Sequence, residues 1–211
     1  MEIRSFETLP STQTYLIEQI HSDKFHPPVA VIANRQISGI GSRDNQWSGE
    51  EGNFFASIAL FLDDLPEDLP LSSASIYFSF IMKRTLEELG EDVWLKWPND
   101  FYLNDAKVGG TITKKIKDIL VCGIGINLKN SQNGYSSLQS GISPKYLLDA
   151  YLKRLLEFPK WKQIFSEYKI EFDLSRRFSV HIENERKSLA DACLCEDGSL
   201  IIGGKKVYSL R

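Results

Sequence analysis

The sequence predicts an α+β chain: strands and helices share one large unit, and a short all-β unit follows it. Three observations carry this. Apolar runs bounded by polar, Gly- or Pro-containing stretches recur at Val29–Asn34, Asn53–Leu62 and Ile119–Leu128, as buried strands do. Stretches with helical spacing lie before, between and after them, three of them opened by a Ser or Thr that can cap. From Arg176 the pattern shortens to alternating residues, Val180 with Ile182 and Ala190 with Ala192 and Leu194, ahead of the turn Glu196-Asp197-Gly198.

In chain order, Glu2–Glu7 alternates polar and apolar as a half-buried strand does. Ser11 or Thr12 is placed to cap a helix carrying Tyr15, Leu16, Gln19 and Ile20, and Pro27-Pro28 stops it. Val29–Asn34 enters a sheet. Arg35 to Gly52 is long, polar and Gly-containing, a connection of the length that is often functional or mobile. After the strand Asn53–Leu62, Ser72 or Ser73 caps a helix to Leu89, with Ile76, Phe80, Lys83 and Glu87 on successive turns and Gly90 at its end. Val93–Trp97 reads as a strand and Pro98-Asn99-Asp100 as a turn. Phe101–Leu103 and Lys107–Thr113 form a hairpin across Asn104-Asp105, and Ile119–Leu128 is a further buried strand. Asn130 to Gly141 is a Ser-, Asn- and Gly-rich loop. Ser143-Pro144 opens a helix, and Pro159 separates it from another over Lys160–Ile170. Leu200–Ile202 and Val207–Leu210 complete a tail that resembles a small β-barrel packed on the main unit, which places a boundary between 1–172 and 173–211.

Composition narrows the function. The 211 residues are 42% hydrophobic, enough for a sizeable core. Against 25 Lys and Arg stand 28 Asp and Glu, a net charge of −3, so a generic electrostatic grip on nucleic acid is not expected. No apolar run approaches the ~18 residues of a membrane span. Met1 to Pro10 lacks the pattern of an export signal, and Cys122, Cys193 and Cys195 are an odd set without a framework spacing. Reduced thiols and a cytoplasmic location are the expectation.

Several familiar sites are missing from the sequence. There is no G-x-S-x-G and no H-E-x-x-H, and His21, His26 and His181 lack metal-ligand spacing. Gly123-Ile124-Gly125-Ile126-Asn127 lacks the third Gly of a dinucleotide fingerprint, and no segment matches a Walker-type loop. Four segments remain. Gln36 to Trp47 holds Gly39 and Gly41, where backbone can approach a ligand; taken alone it reads as a surface loop anchored by Trp47. Lys96-Trp97-Pro98-Asn99-Asp100 is a rigid polar corner or a solvated turn after a buried Trp. Lys107-Val108-Gly109-Gly110 can aim an ammonium at an anion, although Lys114, Lys115 and Lys117 show how common surface lysines are here. Gly123 to Asn127 suggests a ligand lying on a sheet, or tight packing of a helix on it.

As an ordered set, these segments resemble the catalytic domain of biotin–protein ligases over nearly the whole chain. Ser11-Thr12 resembles the family's early Ser-Thr. Gln36 through Trp47 is similar to its Gly-Arg-Gly-Arg…Trp adenylate loop, and Gly52-Asn53 to its Gly-x-Asn. Lys96 to Asp100 is identical to its most diagnostic motif. Lys107 falls at its catalytic Lys, Gly123 to Asn127 at its Gly-x-Gly-Ile-Asn strand, and the tail ends in a similar Ser-Leu-Arg. The implied fold is a mixed β-sheet flanked by helices, followed by an SH3-like barrel.

The implied activity joins biotin to a lysine of a biotin carboxyl carrier protein of acetyl-CoA carboxylase or a related carboxylase, using ATP and Mg2+ through biotinyl-5′-AMP. The resemblance makes Lys107 catalytic. It places Ser11, Thr12, Gln36, Gly39, Gly110, Gly123 and Gly125 at biotin, and Arg43, Asn45, Trp47, Lys96, Asn99, Asp100 and Asn127 at the nucleotide, with Asp100 also at Mg2+. It implies a monomer or weak homodimer with neither nucleic acid nor membrane as partner. One departure stands out: Ile40 and Ser42 occupy positions where the family has arginines, and Arg43 alone remains. A charged hydrogen bond to phosphate contributes roughly 1.5–3 kcal/mol, so each loss weakens adenylate retention about ten- to a hundredfold. The rival readings are a lipoate- or octanoate-transferring ligase on the same scaffold, a non-catalytic biotin-binding protein, and a biotin-sensing repressor. The last is disfavoured because Ser-Thr is already reached at residue 11.

Overall fold

A computed structural model describes residues 1–41, 46–49, 51–129, 131, 135–182 and 185–208. The chain opens with β1 (Glu2–Leu9) and α1 (Thr12–His21). Ser11 is the N-cap of α1, its hydroxyl accepting from the Thr14 N–H at 3.3 Å, as the sequence predicts. β2 (Val29–Ile40) runs six residues beyond its expected end and pairs with β3 (Gln46–Gly49), so half of the expected loop is a ribbon. The polar composition hides it because this part of β2 buries Gln36 and Gly39 rather than aliphatic side chains. The pairing breaks register between Gln36 and Gly39, which bends the ribbon.

β4 (Phe54–Phe61) is buried over seven of its eight residues because helices cover both faces of the sheet. α2 (Ala74–Glu88) follows a short 3-10 turn. The expected cap Ser73 sits at its start, but the hydroxyl donates to the Asp197 carbonyl of the tail instead of capping. Next come β5 (Trp94–Lys96), β6 (Asp100–Leu103), β7 (Ala106–Ile116) and β8 (Ile119–Ile126). Asn104 and Lys117, both with φ of 52°, make the turns between β6, β7 and β8. α3 (Pro144–Leu155) is capped by Ser143, and α4 (Trp161–Ser175) extends five residues past the expected end.

The main sheet has the order β1-β2-β4-β8-β7-β6-β5, with β3 attached to β2. β1 runs parallel to β2 and the other pairs are antiparallel, so the sheet is mixed. On one face, Ala30, Ile32, Phe54, Ile58, Leu120, Cys122, Ile124 and Ile126 pack with α2, α3 and α4 in the large core. On the other face, Val29, Val31, Ala33, Ala59 and Val121 pack against Leu16 of α1. β8 shows the alternation: its even residues serve the large core, while odd Ile119 and Val121 face α1 and give way to Gly123 and Gly125. Each fully buried Phe or Leu contributes about 1.5–3 kcal/mol. The two glycines forgo that and leave open space on the α1 face.

The tail forms two small antiparallel sheets, β9 (Ser179–Ile182) with β10 (Glu185–Ser188), and β11 (Cys193–Leu194), β12 (Leu200–Ile202) and β13 (Lys205–Val207). Val180, Leu189, Ala192 and Leu200 belong to the large core. Three successive tail carbonyls also accept side-chain hydrogen bonds from the main unit. Glu196 accepts from Trp161 Nε1 at 2.8 Å, Asp197 from Ser73, and Gly198 from Trp97 Nε1 at 2.9 Å. The expected closing motif at 209–211 lies outside the described residues. No helix among the described residues is long and apolar enough to cross a membrane.

Candidate active site

The open space on the α1 face is a cleft running from Ser11 and Thr12 to Asp100 and Lys107. Gly123 and Gly125 of β8 and Gly110 of β7 form its floor, in register with one another and with Ser57 of β4. A Cβ at Gly123 would sit 3.3 Å from both Gln13 Cδ and Ser57 Oγ, and one at Gly125 would stand 2.7 Å from Trp47 Nε1. The paired glycines of the Gly-Ile-Gly-Ile-Asn strand are therefore the price of a cavity on a sheet.

One end of the cleft is polar and uncharged. The Gln36 side-chain oxygen accepts from the Thr12 N–H at 2.7 Å and the Thr12 hydroxyl at 3.0 Å. The Thr12 hydroxyl also lies 2.9 Å from Ser57 Oγ. With its oxygen held by Thr12, the Gln36 amide turns its NH2 the other way. Ser11, Thr12, Gln36 and Ser57 are all buried and all line the cleft. This end offers fixed donors and acceptors without a net charge.

The other end carries charge. The Lys107 ammonium pairs with Asp100 Oδ1 at 2.6 Å, and Lys96 lies 3.9 Å from Asp100 Oδ2. One carboxylate thus spans two ammonium groups, one from the β6–β7 hairpin and one from β5. Lys107 also lies 5.8 Å from the Trp47 ring and 5.7 Å from the Tyr135 ring, within cation–π range of both. The two rings are 5.3 Å apart and form an aromatic wall beside the ammonium. Asn99 and Thr111 lock the floor of this end: Thr111 N donates to the Asn99 carbonyl at 3.0 Å, and Asn99 Nδ2 donates to the Thr111 carbonyl. Among the described residues, Asn99 Oδ1, Thr111 Oγ1 and Trp47 Nε1 are buried polar atoms without a partner, and all three residues line the cleft. Buried polar atoms are normally satisfied, so these are candidate ligand contacts.

Of the residues expected at the site, Ser11, Thr12, Gln36, Trp47, Asn99, Asp100, Lys107, Gly110, Gly123 and Gly125 line this one cleft. Three are close to it but not on its wall. Gly39 lets β3 close on β2, since a Cβ there would stand 2.1 Å from the Trp47 carbonyl oxygen. Lys96 opens onto a neighbouring groove. Asn127 donates from its side chain to the Ser136 carbonyl at 3.0 Å and so anchors the loop that presents Tyr135. Arg43, Asn45 and the departure at Ser42 lie outside the described residues; Ile40, the other departure, is half exposed and lines the cleft. Sequence reasoning missed Ser57, Gln13 and Tyr135. Ser57 has a signal in hindsight, as a lone hydroxyl on the glycine face of a buried strand. Tyr135 has none, because its position depends on how the loop folds back.

The model of the biotin/lipoate A/B protein ligase family matches residues 5–130. The bifunctional ligase/repressor BirA of Escherichia coli is 35% identical over 127 residues, 57% of this chain and 38% of that protein. The chain thus matches about two fifths of that relative's length. The crystal structure of the biotin acetyl coenzyme A carboxylase synthetase of Helicobacter pylori with bound biotinylated ATP superposes with a TM-score of 0.93 at 41% identity, covering 98% of this chain and 99% of the other. The biotin protein ligase of Aquifex aeolicus in complex with biotin and ATP shares the fold, with a TM-score of 0.79 at 23% identity over 100% and 96% of the two chains. The matched span covers more than half of the sequence and contains every residue that lines the cleft, and the chain belongs to the biotin/lipoate A/B protein ligase family.

Proposed function

We propose that this protein is a biotin–protein ligase that attaches biotin to a lysine of a biotin carboxyl carrier domain of acetyl-CoA carboxylase. The reading rests above all on one observation. A single cleft joins an uncharged hydrogen-bonding end, at Thr12 and Gln36, to an end where Lys107 is held by Asp100 at 2.6 Å. The first suits the ureido ring of biotin, which presents one carbonyl acceptor and two N–H donors. The second suits a carboxylate meeting a phosphate.

In the first step, a biotin carboxylate oxygen attacks the α-phosphorus of ATP. The bond from that phosphorus to the bridging oxygen breaks, and diphosphate leaves with the electron pair. In the second step, the neutral amine of a carrier lysine attacks the carbonyl carbon of the mixed anhydride, the bond from that carbon to the phosphate oxygen breaks, AMP leaves with the electron pair, and the new amide nitrogen releases a proton to solvent. Both steps concentrate negative charge where Lys107 lies, and a fixed cation there stabilises the transition state. Asp100 aims the ammonium, and Trp47 and Tyr135 wall off water from the reactive anhydride. Among the described residues, no cluster of three or more His, Cys, Asp or Glu could cage a metal. The donor set fits Mg2+ carried in on ATP, since that ion binds through one or two carboxylates plus phosphates, and Asp100 is the carboxylate on hand. Bound there, the ion supplies positive charge to the phosphate oxygens.

On the same reading, residues 173–211 make an SH3-like unit beside a catalytic unit of residues 1–172. The protein acts in the cytoplasm as a monomer or weak homodimer, without nucleic acid. Biotin-dependent exchange of pyrophosphate into ATP, followed by label transfer to a purified carrier domain, tests the proposal. Exchange that depends on lipoate instead would move the protein to the other branch of its family. Biotin binding without exchange would make it a binding protein.

A further inference from the structure

Trp47 carries a polar atom that the fold leaves idle. Its indole Nε1–H is buried and, among the described residues, has no hydrogen-bond partner. Buried donors are normally paired, so one left open on a cleft wall marks a place for a ligand acceptor. The floor fixes where it is. A Cβ at Gly125 would stand 2.7 Å from Nε1, so this N–H lies over that glycine. Gly125 is the register partner of Gly110, where a Cβ would stand 3.7 Å from Lys107 Nζ. Two donors, one from β3 and one from β7, therefore stand over neighbouring glycines. The Lys107 ammonium is 5.8 Å from the Trp47 ring, and a single oxygen accepting from two donors at about 2.9 Å each spans a gap of that size. Asp100 takes one of the ammonium's three N–H groups and leaves the others for a ligand.

The order along the floor says which ligand atom meets them. Gly123, beside Gln13 and Ser57, underlies the uncharged end. Gly125 is two residues farther, about 6.8 Å along the strand, which is within the reach of biotin's valeryl chain. With the biotin rings over Gly123, its acyl carbon comes over Gly125, one strand away from Lys107. We propose that the Trp47 indole N–H and the Lys107 ammonium together hold the acyl oxygen of biotin, which makes Trp47 a catalytic residue of the transfer step and more than a cover. The inference rests on the ligase reading and deepens it. In adenylation the pair fixes one carboxylate oxygen and leaves the other to attack phosphorus. In transfer, the carrier amine adds to the acyl carbon and the carbonyl electron pair moves onto the oxygen between the two donors. That pair returns as the bond to the phosphate oxygen breaks and AMP leaves. The acyl oxygen is charged before adenylation begins but gains its charge only during transfer, so the donor accelerates the second step more than the first.

The test uses the full-length protein with Trp47→Phe, which keeps an aromatic cover and deletes the donor, and Trp47→His, which keeps a ring N–H. Both are checked for an unchanged melting temperature. Single-turnover transfer from bound biotinyl-5′-AMP to saturating carrier domain is expected to slow roughly a hundredfold in the Phe variant, while adenylation slows less than tenfold. The His variant should recover part of the transfer rate. Unchanged transfer by the folded Phe variant overturns the proposal. Calorimetry with two stable mimics of the adenylate gives a readout apart from turnover. One is a β-ketophosphonate that keeps the acyl carbonyl, and the other has a methylene in its place and the same charge. Wild type should prefer the first by about five- to tenfold, and the Phe variant should bind both alike. A preference that survives in the Phe variant, or an equal loss of both mimics, overturns the donor pair alone and leaves Trp47 a cover. Wild-type protein that binds neither mimic removes the ligase reading and this proposal with it.

Discussion

Gly125 faces the indole of Trp47 so closely that a Cβ at position 125 would stand 2.7 Å from its Nε1. Trp47 comes from β3 and Gly125 from β8, so this contact sets the height of the cleft between ribbon and floor. Gly125→Ala must push the indole away or close the space beneath it. The expected result is a biotin affinity at least tenfold weaker by calorimetry, with a melting temperature within a few degrees of wild type. Gly141→Ala, where a Cβ meets nothing within 4 Å, is the control and should change neither. Equal biotin affinity in the two variants would show that the cleft floor is not where biotin lies.

Lys107 is the cation nearest the meeting point of carboxylate and phosphate. Lys107→Ala is expected to lower adenylation by roughly two to three decades, the scale of removing one fixed donor to developing charge. Biotin binding should survive, because the Thr12 and Gln36 contacts do not involve Lys107. Single-turnover formation of biotinyl-5′-AMP measures the step directly. Near-normal adenylation by the folded variant would transfer the role to another group.

The fold and the site were legible to different depths. The buried strands and capped helices declared themselves through periodicity, because their side chains fill a core and must alternate or recur accordingly. The site was legible where its residues form short runs, at Lys96 to Asp100 and Gly123 to Asn127. β3 and the last six residues of β2 were not, since a ribbon that buries Gln36 and glycines carries no apolar signal. Tyr135 was hidden for another reason. Its place beside Lys107 comes from the loop bonds of Ser136 N to the Lys107 carbonyl at 2.9 Å and of Asn127 to the Ser136 carbonyl. Such long-range backbone pairing leaves no trace in local composition. The tail's attachment through three successive carbonyls, Glu196 to Gly198, is equally silent, because any residue has a carbonyl.

The motif strand β5 lies at the end of the sheet, and α4 supplies what a further strand would. Glu171 Oε1 accepts from Leu95 N at 2.6 Å, and Ser175 Oγ accepts from Trp97 N at 3.1 Å. Two residues along a strand advance about 6.8 Å and four along a helix about 6 Å, so acceptors at i and i+4 match donors at i and i+2. Lys83 holds the other Glu171 oxygen at 2.5 Å. Burial pushes the Glu171 carboxyl up and its bonds from Lys83 and Leu95 only partly offset that. Ser175→Ala should therefore cost about 1 kcal/mol and Glu171→Gln a similar amount, while Glu171→Ala, which leaves Lys83 buried with Glu87 alone, should cost about 3–5 kcal/mol. Urea unfolding gives all three. Equal losses for the Gln and Ala variants would show that the carboxylate, and not its bond to the strand, is what matters.

Tyr168 offers a test of the core through pH. It is fully buried between α4 and α2, its ring 5.9 Å from Phe80, and its hydroxyl has no hydrogen-bond partner among the described residues. Burial, assisted by the charge of Glu171, raises its pKa well above the ordinary value of 10.0. The folded protein therefore keeps this proton at a pH where the unfolded chain releases it. Native protein binds more protons than unfolded, so stability is fully present below pH 10 and falls as pH rises beyond it, toward the folded pKa. One such group removes about 1.4 kcal/mol between pH 8 and 11. Tyr77 and Tyr151, whose pKa values burial also raises, add to the fall with the same sign. Tyr168→Phe deletes an unpaired hydroxyl, so it should be neutral or slightly stabilising at pH 8. Between pH 8 and 11 it should lose about 1.4 kcal/mol less than wild type. Guanidinium-induced unfolding of the two proteins at both pH values measures the difference, and parallel losses would mean that Tyr168 ionises in the folded state as readily as in the unfolded chain.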